Sequence, residues 1–108
     1  DCDIFLHPSM HESGGWVIAE AHSAGRPVIC INSGGPGLQV SDTNGRKIFP
    51  LSSSYVIEQI ADAMKSMSTN HEQRKRMYYQ SIKEIKQNYL WSIKIHQFDR
   101  LYNEMKIQ

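Results

Sequence analysis

Cysteine is scarce in this 108-residue chain: only Cys2 and Cys30 are present, and both sit inside apolar runs, "CDIFL" and "VICI". Cys-x-x-Cys spacing is absent, which removes the usual zinc and dithiol arrangements and leaves buried free thiols of a reducing compartment as the expectation. No apolar stretch approaches the roughly 20 residues that span a bilayer, and no signal peptide is apparent, so an intracellular protein is expected. Neither sign of charge dominates, the net charge being +1, and nothing marks a nucleic-acid binder. No Ser-His-Asp or Cys-His arrangement stands out, and no Asp-x-Asp suggests a clamp for a metal-bound diphosphate. An initiator Met is lacking as well. Asp1 leads straight into the strand-like "CDIFLH" without a turn or cap, which raises the expectation of a piece cut from a longer chain.

What is present is ordinary for a globular domain, with 40% hydrophobic and 21% charged residues, and its length allows a single core. The small net charge hides an asymmetry. Residues 1–50 carry three Lys/Arg against five Asp/Glu, while residues 51–108 carry nine against six. The basic segment "EQRKRM", with Lys83 and Lys86, reads as a solvated helix face, although such a patch also suits phosphate or an anionic membrane surface.

The pattern changes near residue 50. Before it, short apolar runs alternate with Gly-rich turns. A strand near 2–7 is expected, then a helix from Gly15 to Ala24 ended by Gly25, a strand "PVICI" at 27–31 and a Gly-Pro-Gly turn. A short helix near 37–42 and a strand "RKIF" complete a β-α-β-α-β order. Strands apolar at nearly every residue and separated by helices predict a parallel sheet covered on both faces, the doubly wound α/β class. The second half is helical. One helix over 54–68 places Val56, Ile57, Ile60, Ala61, Met64 and Met67 on a stripe, and "NHEQ" at 70–73 resembles a capping box opening a second helix with Met77, Ile82, Ile85 and Tyr89 at helical spacing. A third helix over 91–106 repeats Trp91, Ile95, Phe98, Leu101, Tyr102 and Met105, and all these stripes are expected to pack in the core.

The stretch with most chemistry is "HESGGWVIAE" at 11–20, in which Glu12 and Glu20 flank Gly14-Gly15. A Gly-Gly pair between strand and helix turns the backbone tightly and bares N–H groups at the helix start, where an anion such as a diphosphate is favoured. Glu12 falls on the loop beyond the strand's carboxyl end, where open α/β sheets bind ligands. On a helical wheel Glu20 falls with Trp16 and Ser23, opposite Val17, Ala21 and Ala24, so its carboxylate looks away from the sheet. Carboxylates accept well from vicinal hydroxyls, and two of them around an anion-binding turn suit a nucleotide sugar. A solvent-face glutamate beside a tight turn is the plain alternative.

His7 and His11 straddle a strand end, where a four-residue spacing does not bring them to one face, so no metal site is expected. His11 neighbours Glu12 on the loop. His22, His71 and His96 read as helix-surface or packing residues.

The run "FLHPSMHESGGWVIAEAHSAGRPVICINSGGPG" resembles the distal part of the C-terminal nucleotide-binding domain of retaining GT-B glycosyltransferases of family 4 (glycosyl transferases group 1). Its strand, Pro-Ser, Glu-x7-Glu, "EA", "GRPV" and Gly-Gly-Pro turn carry the resemblance. The tail, "FPLSSSYVIEQIADAMKSM" and "YLWSIKIHQFDRLYNEM", resembles that family's following helix and its Trp-bearing C-terminal helix, so the similarity covers nearly all of residues 1–108. The resemblance implies that Glu12 lies beside the transferred sugar and acts in catalysis, and that Glu20 holds the ribose hydroxyls. Ser13, Gly14, Gly15 and the Trp16 amide would contact sugar and diphosphate.

Two departures stand out. Ser13-Gly14-Gly15 replaces the family's Gly-Phe-Gly or Ser-Phe-Gly, and the glutamate expected after Gly-Gly-Pro is missing where Gly37, Leu38 and Gln39 follow, which leaves Gly34 to Gly37 as shapers of the turn.

The implied activity is transfer of a sugar from a UDP- or GDP-linked donor to a sugar or lipid-linked acceptor, as in polysaccharide biosynthesis. No further cofactor is implied. The setting is the cytoplasm, with a peripheral contact at the inner membrane face. The family's basic diphosphate pair and base pocket would precede Asp1, so this piece alone is expected to be inactive and to self-associate through an unprotected first strand. A nucleotide- or phosphosugar-binding domain without transfer, and a flavodoxin-like interaction module, remain open on the residues alone.

Overall fold

The computed structural model describes residues 3–10 and 15–107. The chain runs β1 (Phe5–His7), α1 (Trp16–Ser23), β2 (Val28–Ile31), α2 (Gly34–Gln39), β3 (Gly45–Ile48), α3 (Ser53–Thr69), α4 (His71–Asn88) and α5 (Trp91–Ile107). The three strands form one parallel sheet in the order β1-β2-β3, with Phe5 beside Val28 and Val28 beside Gly45. The expected α/β class and alternation are therefore present.

The central strand explains the layering. All four residues of β2 are buried, and because successive side chains point to opposite faces, "VICI" supplies two cores. Val28 and Cys30 meet Ile18, Ala21, Val40 and Phe5 under α1 and α2. Ile29 packs on the other face with Ile48, Ala63, Met67 and Met77 under α3 and α4. Helices thus cover both faces, as a parallel sheet requires.

Local signals set most boundaries. Gly25 adopts φ 74°, and a Cβ there would collide with the Tyr78 ring, so only glycine both ends α1 and admits α4 alongside. Ser52 caps α3 by accepting from the Tyr55 N–H, and Asn70 caps α4 by accepting from the Gln73 N–H, which is one half of the box expected at "NHEQ".

Several expected faces are corrected. In α1 the buried set is Ile18, Ala21 and His22, with Ala24 exposed, so the inward face is turned by roughly 90° from Val17-Ala21-Ala24 at about 100° per residue. α2 begins at Gly34, not near residue 37: the Gly-Pro-Gly segment is helix, with Pro36 at a position where its missing N–H has no intrahelical role. In α3 only Ala63 and Met67 are buried, Ile57 and Met64 lying exposed. α4 buries Met77, Ser81 and Ile85. The largest departure is α5, whose Trp91, Ile95, Phe98, Leu101, Tyr102 and Met105 are all more than half exposed, so this stripe is not core packing within the chain.

Candidate functional site

The site is built where the carboxyl end of β1 and the start of α1 meet α2. Gly15 is the N-cap of α1 in the left-handed region, φ 69° and ψ 34°, and it is buried. A Cβ at that position would lie 2.8 Å from Gln39 Nε2 and 3.1 Å from Pro36 Cδ. Glycine is therefore needed there twice over, for its φ and for the closeness of α2. Gln39 Nε2 donates to the Gly15 carbonyl at 3.1 Å, across 24 residues of sequence, and the Ile18 N–H donates to the same oxygen at 3.0 Å. Unlike α3 and α4, α1 begins at a residue that has no side chain to cap its first turn, and no acidic residue stands in that turn.

α2 buttresses this corner from below. Cys30 Sγ reaches the Pro36 carbonyl at 3.8 Å, Lys47 Nζ donates to the Gly37 carbonyl at 2.9 Å, and Ser33 Oγ donates to the Met10 carbonyl at 2.8 Å, tying the β1 loop to the α2 start. The segment Gly34 to Gly37 thus shapes the corner, as expected, although as helix and not as a turn. Burial pushes the Cys30 thiol up to about 11, Lys47 offsetting part of that, so the thiol is protonated and inert, matching the expected buried free cysteine.

Of the predicted site residues, Gly15, Trp16 and Glu20 fall within the described residues; His11, Glu12, Ser13 and Gly14 lie outside them, as does Cys2. Trp16 opens α1 and is 69% exposed. Glu20 lies one turn further on, about 6 Å along the axis at 1.5 Å per residue, and is exposed on the same side as Trp16 and Ser23. The corrected rotation of α1 turns its carboxylate even more squarely away from the sheet.

Beside Trp16 lies a cleft of about 250 Å³ lined by Trp16, Ala19, Gln39, Tyr89, Trp91 and Lys94. The two tryptophan rings are 6.1 Å apart between centroids and tilted by 31°. Lys94 Nζ stands 5.3 Å from the centroid of the Tyr89 ring, a cation–π arrangement. Burial, and then the charge of Glu84, push the Tyr89 hydroxyl above its ordinary range. Trp91, assigned from its periodicity to the core, instead forms one wall of this cleft.

Behind α1 a polar lock holds the sheet entry. His22 is 3% exposed, and its Nε2 lies 3.3 Å from the Asn44 carbonyl. The Asn44 side chain donates to Gln39 O at 3.1 Å and to Glu84 Oε2 at 2.5 Å, and accepts from the Ser41 N–H at 2.8 Å. Desolvation lowers the His22 pKa, against smaller raising effects of the Asn44 hydrogen bond and Glu84. Sequence reasoning left His22 as a helix-surface or packing residue, which the structure resolves to packing, and gave no role to Gln39, Asn44 or Glu84. Their roles depend on hydrogen bonds across 24 and 40 residues, for which the sequence offers no periodic signal. His7 Nε2 is buried without a hydrogen-bond partner among the described residues. No group of three His, Cys, Asp or Glu side chains suited to a metal occurs among the described residues.

The sequence model of glycosyl transferases group 1 matches residues 1–84. The chain belongs to this family. The matched segment takes in the whole sheet, the α1 corner and α4 as far as Glu84, leaving α5 beyond it. Among curated proteins, the chain is 28% identical over 90 residues to sucrose synthase 6 of Oryza sativa subsp. japonica and 27% identical over 90 residues to sucrose synthase of Solanum tuberosum. Each alignment covers 82% of this chain and 11% of the relative, so the group 1 chain spans about a ninth of the length of these curated relatives.

Proposed function

We propose that this group 1 chain is the distal part of the C-terminal donor-binding domain of a retaining GT-B glycosyltransferase of family 4. The observation that carries the reading is the α1 corner: a buried left-handed glycine braced by Gln39 and Pro36 at the carboxyl end of a parallel sheet, with Glu20 exposed one turn along. First-turn N–H groups of α1 suit the diphosphate of a nucleotide sugar, and Glu20 suits the vicinal hydroxyls of its ribose. Sucrose synthases are named for a sugar-transfer product, and their likeness to the matched segment supports a sugar donor here.

In the proposed reaction the bond between the anomeric carbon and the diphosphate breaks, and the leaving diphosphate takes the electron pair. Backbone N–H groups of Gly14, Gly15 and Trp16 stabilise the charge that develops on it. The acceptor hydroxyl bonds to the anomeric carbon on the face that the diphosphate leaves, and its proton passes to an oxygen of the departing diphosphate. Glu12, beside the sugar, stabilises the positive charge that grows on the ring in the transition state, and Ser13 contacts the sugar.

The donor carries UDP or GDP, the acceptor is a sugar or a lipid-linked sugar, and no further cofactor takes part. The setting is cytoplasmic with peripheral membrane contact in polysaccharide biosynthesis, and none of the described helices is long and apolar enough to cross a membrane. The test is calorimetric titration of the full-length protein with UDP, GDP and ADP sugars, for the native form and Glu20→Ala. The expected result is saturable binding of one nucleotide class, weakened at least tenfold by the substitution, with an unchanged unfolding midpoint. Donor affinity unaltered by Glu20→Ala would remove the ribose assignment, and absence of binding to any nucleotide sugar would remove the donor-site reading altogether.

A further inference from the structure

The first turn of α1 is aimed from outside the helix. A glycine admits more orientations of the peptide that follows it than any other residue, so the cap at Gly15 does not by itself fix where the next N–H points. The Gly15–Trp16 peptide is trans, and its carbonyl and N–H therefore lie in one plane and point in opposite directions. Whatever holds the Gly15 carbonyl aims the Trp16 N–H. That carbonyl accepts from the Ile18 N–H at 3.0 Å, a bond of α1 itself, and from Gln39 Nε2 at 3.1 Å, a bond that arrives from the end of α2. With its carbonyl turned inward, the same peptide turns its N–H out of the helix start, as first-turn donors do. Two donors on one carbonyl also polarise the peptide and make that N–H a stronger donor.

Gln39 is itself held. It is the last residue of α2, where a helix leaves its carbonyls without helical partners. Asn44, 1% exposed, donates from Nδ2 to the Gln39 carbonyl at 3.1 Å and to Glu84 Oε2 at 2.5 Å, and its Oδ1 accepts from the Ser41 N–H at 2.8 Å. The Glu84 carboxylate is fixed in turn by Thr43 Oγ1 at 3.1 Å and Gln80 Nε2 at 3.0 Å. A hydrogen bond to a carboxylate is of the stronger kind, so the buried amide of Asn44 anchors the backbone of Gln39 to α4 while the Gln39 side chain reaches α1.

We propose that Gln39 is a positioning residue for the diphosphate of the donor. It orients the Gly15–Trp16 peptide so that the Trp16 N–H faces the departing diphosphate, and Asn44 holds Gln39 in place to do so. The proposal rests on the donor-site reading above and goes beyond it, because it assigns the aim of the anion-binding turn to a residue 24 positions along the chain that acts through the Gly15 carbonyl.

Calorimetric titration of the full-length protein with UDP, GDP, uridine and guanosine tests it. Gln39→Met keeps the length of the side chain and removes the donor, and Gln39→Glu donates only when protonated. At pH 8 both variants weaken the nucleoside diphosphate that the native protein binds by about tenfold, and the matching nucleoside by less than about twofold. At pH 5 Gln39→Glu returns to within about threefold of the native affinity, while Gln39→Met does not. Selective ¹⁵N labelling of tryptophan gives a readout that needs no ligand: the Trp16 amide proton, assigned by its loss in Trp16→Phe, moves upfield in Gln39→Met. Equal losses for nucleoside and nucleoside diphosphate would make Gln39 a support of the fold alone and overturn the proposal. So would unchanged diphosphate affinity, a Trp16 amide that does not move, or no recovery of Gln39→Glu at pH 5. A native protein that binds neither UDP nor GDP would remove the donor-site reading and this proposal with it, and a Trp16 amide that still moves would locate that failure in the reading of the ligand and not in the brace.

Discussion

Replacing Gly15 by alanine tests the corner on which the site reading rests. At φ 69° an L-residue sits in the left-handed region, which costs about 1–2 kcal/mol relative to glycine. Alanine also narrows the unfolded ensemble, which returns about 0.4–1 kcal/mol. The new methyl would stand 2.8 Å from Gln39 Nε2 and 3.1 Å from Pro36 Cδ. Gln39 is flexible and can swing away, losing a hydrogen bond to the Gly15 carbonyl worth about 0.5–1.5 kcal/mol, whereas the Pro36 ring is buried within α2 and must shift with the backbone. The balance is a net loss of about 1–2 kcal/mol. For a domain near this size that lowers the midpoint by roughly 4–12 °C. Urea unfolding of Gly15→Ala, Gln39→Ala and the double variant measures the parts. The double variant should recover only the Gln39 contribution, because the backbone conformation and the Pro36 contact remain. A loss below about 0.3 kcal/mol in Gly15→Ala would refute the left-handed cap, and with it the close seating of α1 on α2.

Two further outcomes follow from the site and its support. Glu12→Ala should lower kcat more than donor affinity, because its partner in the proposed reaction is the sugar that moves; steady-state kinetics showing a change confined to KM would assign Glu12 to uniform binding. His22 makes stability depend on pH: its pKa is lowered from 6.5 by burial, so below that value the unfolded chain takes up a proton that the folded chain resists. Stability should be full above pH 6.5, fall as the pH drops toward the depressed folded value and level off beneath it. His22→Gln should flatten that part of the profile in urea titrations at pH 7.5 and 5.5, and an unchanged slope would exclude His22 as its source.

The sequence by itself determined what depends on neighbours in the chain. Apolar "VICI" reads as a strand buried on both faces, Asn70 announced its helix by local capping, and Gly25 ended α1. It also grouped Glu20 with Trp16 and Ser23 on one side of α1, because a 3.6-residue period separates faces, while the direction in which that side looks was left to the packing. The tertiary structure decided how those faces are used. The inward face of α1 is Ile18-Ala21-His22 because His22 finds Asn44 behind it, a partner 22 residues away that no periodicity announces. Gln39 braces Gly15 for the same reason: crossover connections in a parallel sheet bring together residues that are distant along the chain. A periodic apolar stripe shows that a helix has a face to bury, not that the chain itself supplies the cover. In α4 that cover exists for Met77 and Ile85, while in α5 the same kind of stripe is exposed among the described residues.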